Sequence, residues 1–166
     1  MKILRTTYLS LGSNLKKRLK NLQNTIDLID KKIGSVKKVS SVYESEAWGF
    51  KSDPFLNICL EVSTSLNPED LLKEIHTIEK ELGRTRTNKN EYSARTIDID
   101  ILLFENEIIF SPELIVPHKE MLQRKFVLVP LSEICPNLIH PIEKQTIKNC
   151  LANCTDSGEV HLTDLQ

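Results

Sequence analysis

The order of predicted elements in this sequence indicates an α+β domain, with an antiparallel sheet backed by two helices. Apolar residues recur at helical spacing in two stretches, 15–33 and 67–82, and β-rich runs lie before, between and after them. The resulting order is strand, helix, strand, strand, helix, strand. A chain of 166 residues is large enough to bury one core without a metal or disulfide.

The first strand and the first helix open the predicted domain. Residues 3–11 are rich in β-formers and end in a Gly-Ser-Asn turn, where Ser13 or Asn14 would cap the following helix. Apolar residues at alternating steps of four and three then predict an amphipathic helix as far as Ile33. Gly34 follows as the expected stop of that helix.

Two further strands and the second helix follow. Residues 36–43 and 55–64 are β-rich and are separated by a turn region, so we expect them to pair antiparallel. The second helix would begin with Asn67 as its cap and Pro68 in the first helical position. Gly83 would end it.

The strand after the second helix contains two carboxylates. In the run RTIDID, residues 95–100, side chains alternate across the strand, so Asp98 and Asp100 share one face. Their Cα atoms would lie roughly 6.5 to 7 Å apart. Taken alone, an Asp-x-Asp pair is more often solvated surface. A divalent ion that carries phosphate oxygens would relieve the repulsion between the two charges.

A cationic stretch leads into this strand. It contains Arg84, Arg86, Lys89 and Arg95 against the single acid Glu91. Guanidinium groups bind phosphate oxygens and carboxylates bind the metal, which is the combination that phosphoryl transfer requires. The sequence therefore predicts a magnesium-phosphate site.

The rest of the chain predicts short elements. A short helix would run to about Arg124, followed by an apolar run at 126–131 and another short helix near 147–151. We expect residues 1–154 to form a single domain and residues 155–166 to form a polar C-terminal tail.

Composition excludes several classes of function. The net charge is -1 and the pI about 6.4, which argues against sequence-independent nucleic-acid binding. The N-terminus lacks the apolar core of a signal peptide, and no run reaches transmembrane length, so we expect a cytoplasmic protein with no membrane contact. Cys150 and Cys154 lack the further ligands of a zinc site. We expect a monomer that binds small molecules.

The sequence lacks the motifs of several familiar catalytic devices. There is no glycine-rich phosphate loop of the Gly-x-x-x-x-Gly-Lys type, so side chains and metal must hold the phosphates. No Ser-His-Asp order or activated cysteine is evident, which favours a transfer in which the substrate supplies the nucleophile. His76 and Glu79 lie three apart on the second helix, where a solvated pair is the simpler interpretation.

Six motifs occur in order along the chain. They are LSLGSN (9–14), FLN (55–57), GR (83–84), RTIDIDILLF (95–104), VPH (116–118) and RKFVLVPL (124–131). Several motifs in order are far more specific than one Asp-x-Asp pair. Through them the chain resembles the 6-hydroxymethyl-7,8-dihydropterin pyrophosphokinase family along nearly its whole length, to about residue 142.

The resemblance implies a fold and a reaction. The fold is a ferredoxin-like α/β sandwich, an antiparallel sheet with helices packed on it. The reaction moves pyrophosphate from ATP to the hydroxymethyl group of 6-hydroxymethyl-7,8-dihydropterin in folate biosynthesis and releases AMP. By the same resemblance, Asp98 and Asp100 would hold two Mg2+ ions, while Arg84 and Arg95 would follow the phosphates as catalytic residues.

The resemblance also implies two binding sites. The residues expected to hold the pterin are Asn57, which would hydrogen-bond the ring, Phe126, which would stack on it, and Phe55, Ser45 and Trp48. The residues expected to contact ATP are Glu79, His76, Arg86, Tyr92, His118, Arg124 and Ile99. The chain departs from the family in segment 45–49, which lacks a Thr-Pro-Pro-Leu-like sequence, and in loop 84–95, which is one residue longer.

Two other classes of function stay open from the residues alone. The same element order builds RNA-recognition and small-molecule sensor domains. An RNA reader would need exposed aromatic residues, however, and aromatic content is 5%. A two-metal phosphodiesterase or nucleotidyl transferase is the second alternative, and its products would distinguish it.

Overall fold

Strands from both ends of the chain meet in one six-stranded sheet. The strands in the described part of the chain are β1 Arg5–Ser13, β2 Gly34–Val39, β3 Tyr43–Ser45, β4 Phe55–Thr64, β5 Asp98–Phe104, β6 Ile109–Phe110, β7 Ile115–Val116 and β8 Val160–Leu162. The order in the sheet is β5-β1-β4-β3-β8, with β2 also paired to β4, and β6 and β7 form a separate pair. Every pairing is antiparallel, as predicted.

These elements come from a computed structural model, which describes residues 2–14, 17–46, 54–83 and 97–165. Five of the residues predicted for the site lie outside these ranges: Trp48, Arg84, Arg86, Tyr92 and Arg95.

Helices cover both faces of the sheet. They are α1 Arg18–Lys32, α2 Pro68–Glu81, α3 Lys125–Ile134 and α4 Ile147–Ala152, with a 3-10 turn at Met121–Gln123. One core joins α1 and α2 to Leu9 and Leu11 of β1, and a second core joins α3 and α4 to Tyr8 and Cys59. The sandwich is therefore as expected, but the sheet is covered by two helices on each side rather than by two helices in all.

The start of α2 agrees with the sequence in detail. Asn67 Oδ1 accepts a hydrogen bond from the Asp70 N–H at 2.8 Å, and Pro68 is the first helical residue. Gly83 follows the helix with φ of 90°, a conformation that favours glycine. A local capping signal was sufficient here because each group that it needs lies within three residues.

The start of α1 differs from the prediction. The helix begins at Arg18 after Lys17, which adopts a left-handed conformation, and the side chain of Lys17 makes no capping hydrogen bond. Ser13 is the last residue of β1, so neither it nor Asn14 occupies the cap position. The expected residues Ser13 and Asn14 are present, but the helix begins only at Arg18.

The first helix ends where predicted, with Ile33 as its cap and Gly34 next, but Gly34 lacks the positive φ of a glycine helix stop. It is the first residue of β2, and a Cβ built on it would lie 2.1 Å from the Ser63 carbonyl oxygen. The close approach of backbone from β4 is what excludes a side chain here.

We expect Gly34→Ala to lower the free energy of unfolding by about 3 kcal/mol, because neither backbone can move without disturbing the sheet. Urea unfolding would measure the change, with the exposed neighbour Ser35→Ala as the control. Equal midpoints for the two variants would contradict this packing explanation.

The C-terminal segment holds a strand that the sequence did not predict. Within the expected polar tail, β8 pairs with β3 and extends the sheet. Short polar segments carry no clear strand signal, since the pairing partner supplies most of the order. The division of the chain at residue 154 stays a prediction.

The described part of the chain was expected to contain neither a membrane-spanning helix nor a zinc site. None of its helices has the length and apolar character required to traverse a lipid bilayer. All four cysteines are free thiols, and no cluster of three potential metal ligands occurs within the described ranges.

Candidate active site

A row of four residues crosses the sheet at the end that carries the predicted site. Gly12 of β1 lies opposite Asp98 of β5 on one side and Asn57 of β4 on the other, and Tyr43 of β3 lies opposite Asn57. Directly paired residues point to the same face of a sheet, so Asp98 and Asn57 share a face. Two strand spacings place their Cα atoms about 10 Å apart.

Gly12 leaves the middle of this row open. A Cβ at this position would lie 3.4 Å from both Asn57 Oδ1 and Phe55 Cδ1. Any larger side chain would extend into the space between Asn57 and Asp98. The glycine therefore allows a bound molecule to reach from the amide to the carboxylates.

Asp98 and Asp100 are partly exposed, while Ile99 and Ile101 between and after them are buried on the opposite face. The predicted alternation along β5 is therefore confirmed. Since Ser10 pairs with both Asp100 and Cys59, Asp100 faces the same side of the sheet as the core under α3. The two carboxylates thus project together at one edge of the sheet.

Two cationic or hydrogen-bonding side chains lie next to Asp100. Its Oδ1 is 3.8 Å from His118 Nε2, and its Oδ2 is 3.7 Å from a terminal nitrogen of Arg124. Burial, followed by the charge of Arg124, lowers the pKa of His118 to about 4. His118 Nδ1 accepts the Glu120 N–H at 3.2 Å, which leaves the proton of the neutral ring on Nε2. His118 is therefore a neutral donor that faces the carboxylate.

Arg124 is held between two acids. Its side chain is buried, and it donates to Glu120 Oε2 one turn earlier while it lies beside Asp100. Because these contacts already hold the guanidinium in place, binding a phosphate to it would cost little further side-chain conformational entropy.

We expect Arg124→Ala to weaken ATP binding by about 10- to 100-fold, the value of one or two charge-assisted hydrogen bonds. Calorimetric titration with a non-hydrolysable ATP analogue and Mg2+ would measure the effect. Lys125→Ala is the matched control, because it removes the same charge from the adjacent residue. An equal loss in the control would mean that only net charge matters.

The donor set fits magnesium better than zinc. Asp98 and Asp100 offer oxygen ligands, and although His118 lies beside Asp100, the described residues contain no group of three side chains arranged to hold a metal ion. Mg2+ is commonly bound by one or two carboxylates together with waters and substrate phosphates. Zinc in proteins usually has three or four protein ligands, often nitrogen or sulfur.

The end of the row at Asn57 is buried and polar. Asn57 is 3% exposed, and its Nδ2 donates to Ser45 Oγ at 2.7 Å. This bond fixes the plane of the amide, so the carbonyl oxygen and the remaining N–H are both available to one ligand edge. Phe55 lies two residues before Asn57 and therefore faces the same side of the sheet.

Phe126 approaches this region from α3. The carbonyl of the next residue, Val127, accepts from Cys59 Sγ at 3.6 Å, and Cys59 follows Asn57 on the same face of β4. The Arg124 guanidinium carbon lies 5.7 Å from the centre of the Phe126 ring. The Phe126 ring therefore lies beside Arg124 at the start of a helix that contacts β4, and an aromatic ring there could cover a flat ligand.

A cavity of about 280 Å³ adjoins Asp100 at the sheet edge. It is lined in part by His76, Ile99 and His118, three of the residues predicted to contact ATP. The lining that sequence reasoning missed is Leu72, Ile101, Pro112, Glu113, Leu114, Ile115 and Lys119. Most of these follow β5 or belong to the β6–β7 region, and no local sequence signal indicates that this hairpin and α2 line the same cavity.

The interpretation of His76 and Glu79 as a solvated pair is wrong for Glu79. His76 is exposed, but Glu79 is 1% exposed and its Oε2 accepts the Ile99 N–H at 3.0 Å. The pair is thus not a solvated one, because Glu79 ties α2 to the strand that carries the two aspartates. Its contact with nucleotide stays a prediction.

Comparison with known proteins assigns the chain to a family. Residues 8–136 match the family described as 7,8-dihydro-6-hydroxymethylpterin-pyrophosphokinase. The chain is 44% identical to the 2-amino-4-hydroxy-6-hydroxymethyldihydropteridine pyrophosphokinase of Aquifex aeolicus, over 86% of this chain and 88% of that protein. It is 46% identical to the Bacillus subtilis enzyme of the same name, over 77% of each.

A solved structure agrees on the fold. A Plasmodium falciparum HPPK-DHPS crystal structure superposes with a TM-score of 0.77 at 16% identity, covering 92% of this chain and 46% of that one. At this identity the likeness concerns the fold alone. Together with the family match over most of the sequence, it means that this chain belongs to the 7,8-dihydro-6-hydroxymethylpterin-pyrophosphokinase family and has the family's activity in folate biosynthesis.

Proposed function

We propose that the row from Asp98 through Gly12 to Asn57 is the line along which this chain transfers pyrophosphate from ATP to 6-hydroxymethyl-7,8-dihydropterin. The observation that supports this is the register of β5, β1 and β4. It sets a carboxylate and a buried amide on one face, with a glycine between them. A flat pterin held at the amide would direct its hydroxymethyl group toward the carboxylates.

The nucleotide end of the reaction uses charge to hold the phosphates. In this proposal ATP enters beside His76, Ile99 and His118, and its phosphates meet Arg124 and the neutral Nε2–H of His118. Two Mg2+ ions held by Asp98 and Asp100 would neutralise phosphate charge and polarise the reacting phosphorus. Arg84 and Arg95, which lie outside the described residues, would add guanidinium donors.

The pterin end orients the nucleophile. Asn57 would hydrogen-bond the ring edge, with its amide plane set by Ser45, while Phe126 would stack on the ring and Phe55 would line its pocket. The hydroxymethyl oxygen attacks the β-phosphorus of ATP, the bond to the α-phosphate oxygen breaks, and AMP leaves. Positioning supplies most of the rate, since the substrate brings its own nucleophile.

The function is tested by incubating the protein with 6-hydroxymethyl-7,8-dihydropterin, ATP and Mg2+ and measuring AMP with and without the pterin. The proposal expects AMP that depends on the pterin. Release of ADP, or of AMP at the same rate without pterin, would instead favour a kinase or a phosphodiesterase. We also propose that the chain works in the cytoplasm, since its thiols are free, and that it is a monomer.

A further inference from the structure

The C-terminal segment 155–163 lies beyond the matched family region yet contacts the start of α3. Asp156 Oδ2 accepts the Lys125 N–H at 3.0 Å, and Asp156 Oδ1 accepts the Gly158 N–H at 2.9 Å. Arg124, the residue in the cap position of α3, makes no side-chain capping bond. A carboxylate from 31 residues further along the chain therefore satisfies a free N–H at this helix start.

The same segment also holds the strand that carries Ser45. In the pairing of β8 with β3, Val160 lies opposite Ser45 and Leu162 lies opposite Tyr43. Thr163 adds two hydrogen bonds to the Val42 carbonyl, from its N–H at 3.0 Å and from its hydroxyl at 2.8 Å. β3 has three residues, so these contacts form a large part of what fixes its position.

One contact therefore acts on a residue assigned to the pterin and the other acts next to one. Asp156 binds the backbone of Lys125, the residue directly before Phe126. β8 supports Ser45, the hydroxyl partner of the Asn57 amide. By contrast, Arg124 on the ATP side is anchored through its own side chain to Glu120.

We propose that segment 155–163 positions the pterin-binding side chains, with Asp156 as the positioning residue for Phe126. This inference rests on the proposed function. It predicts different effects on the two substrates. The segment supports the pterin-binding side chains, while the ATP-binding side chains are held by contacts within residues 100–124.

Asp156→Ala in the full-length chain tests the proposal. Titration calorimetry would give the dissociation constant of the pterin in the presence of Mg2+ and a non-hydrolysable ATP analogue, and separately that of the analogue alone. We expect the dissociation constant of the pterin to rise about fivefold, which corresponds to the free energy of one lost helix cap. The dissociation constant of the ATP analogue should change less than about twofold.

Two further variants complete the test. Asp156→Asn keeps an acceptor for the Lys125 N–H, so it should restore most of the pterin affinity. Asp164→Ala removes an exposed acid immediately after this segment and should match the wild type. Thermal unfolding of each variant shows whether the fold is intact.

Three results would overturn the positioning role. The first is a lower melting temperature in Asp156→Ala with unchanged pterin affinity, which a purely structural cap would give. The second is an equal loss for pterin and ATP analogue. The third is a wild-type chain that binds no pterin, and that result alone would also remove the proposed function, so the two failures are distinguishable.

Discussion

Asp98→Ala and Asp100→Ala are each expected to reduce turnover by about a thousandfold or more while the protein stays folded. The expected loss corresponds to removing several kcal/mol of charge stabilisation at the transferring phosphate. The fold should survive because both side chains are partly exposed and lie on the face away from the α1–α2 core. Removing one of two neighbouring carboxylates also relieves their repulsion.

Steady-state AMP formation and thermal unfolding would check this pair of outcomes. Asp27→Ala is a suitable control, since Asp27 is an exposed acid on α1. Asp98→Asn and Asp100→Asn preserve shape and remove charge, so they should be nearly as inactive as the alanine variants. A variant that unfolds at much lower temperature but keeps its turnover would assign the aspartates a structural role instead.

Asn57→Ala is expected to weaken pterin binding by about a hundredfold, because two buried hydrogen bonds to the ring edge are lost together. The affinity for the ATP analogue should stay within about twofold, since Asn57 lies two strand spacings from the carboxylates. Titration of each ligand in turn would measure the difference.

Ser45→Ala provides the graded comparison. It removes the hydroxyl that orients the Asn57 amide but leaves the amide in place, so a loss of about threefold in pterin affinity is expected. If Ser45→Ala lowers the pterin affinity as much as Asn57→Ala does, the hydroxyl itself contacts the ligand. If neither variant changes pterin affinity, the ligand does not bind at this end of the row.

Local signals predicted the elements whose causes are local. The cap of α2 needs Asn67 and Asp70, three residues apart, and the alternation of β5 follows from successive side chains. The start of α1 and the close approach of β4 to Gly34 depend on where other backbone lies, and the sequence predicted neither of them. The same reason applies to β8, which becomes a strand through its pairing with β3.

In the candidate site too, local motifs identified some residues, while long-range contacts determine the position of others. The motifs identified Asp98, Asn57 and Arg124, but the register that places Gly12 between the first two depends on pairing among three strands. The burial of Glu79 against the Ile99 N–H and the cap that Asp156 gives to α3 are long-range contacts. Neither has a signature within a short stretch of sequence.

The most direct measurement of the central claim is the stoichiometry of products in a single turnover. Phosphorus NMR and mass spectrometry of the reaction with 6-hydroxymethyl-7,8-dihydropterin, ATP and Mg2+ would identify each phosphorylated species. Transfer along the row from Asp98 to Asn57 predicts one AMP for each pterin diphosphate, with no pterin monophosphate at any time. Appearance of the monophosphate with ADP, or of AMP with free pyrophosphate and unmodified pterin, would contradict it.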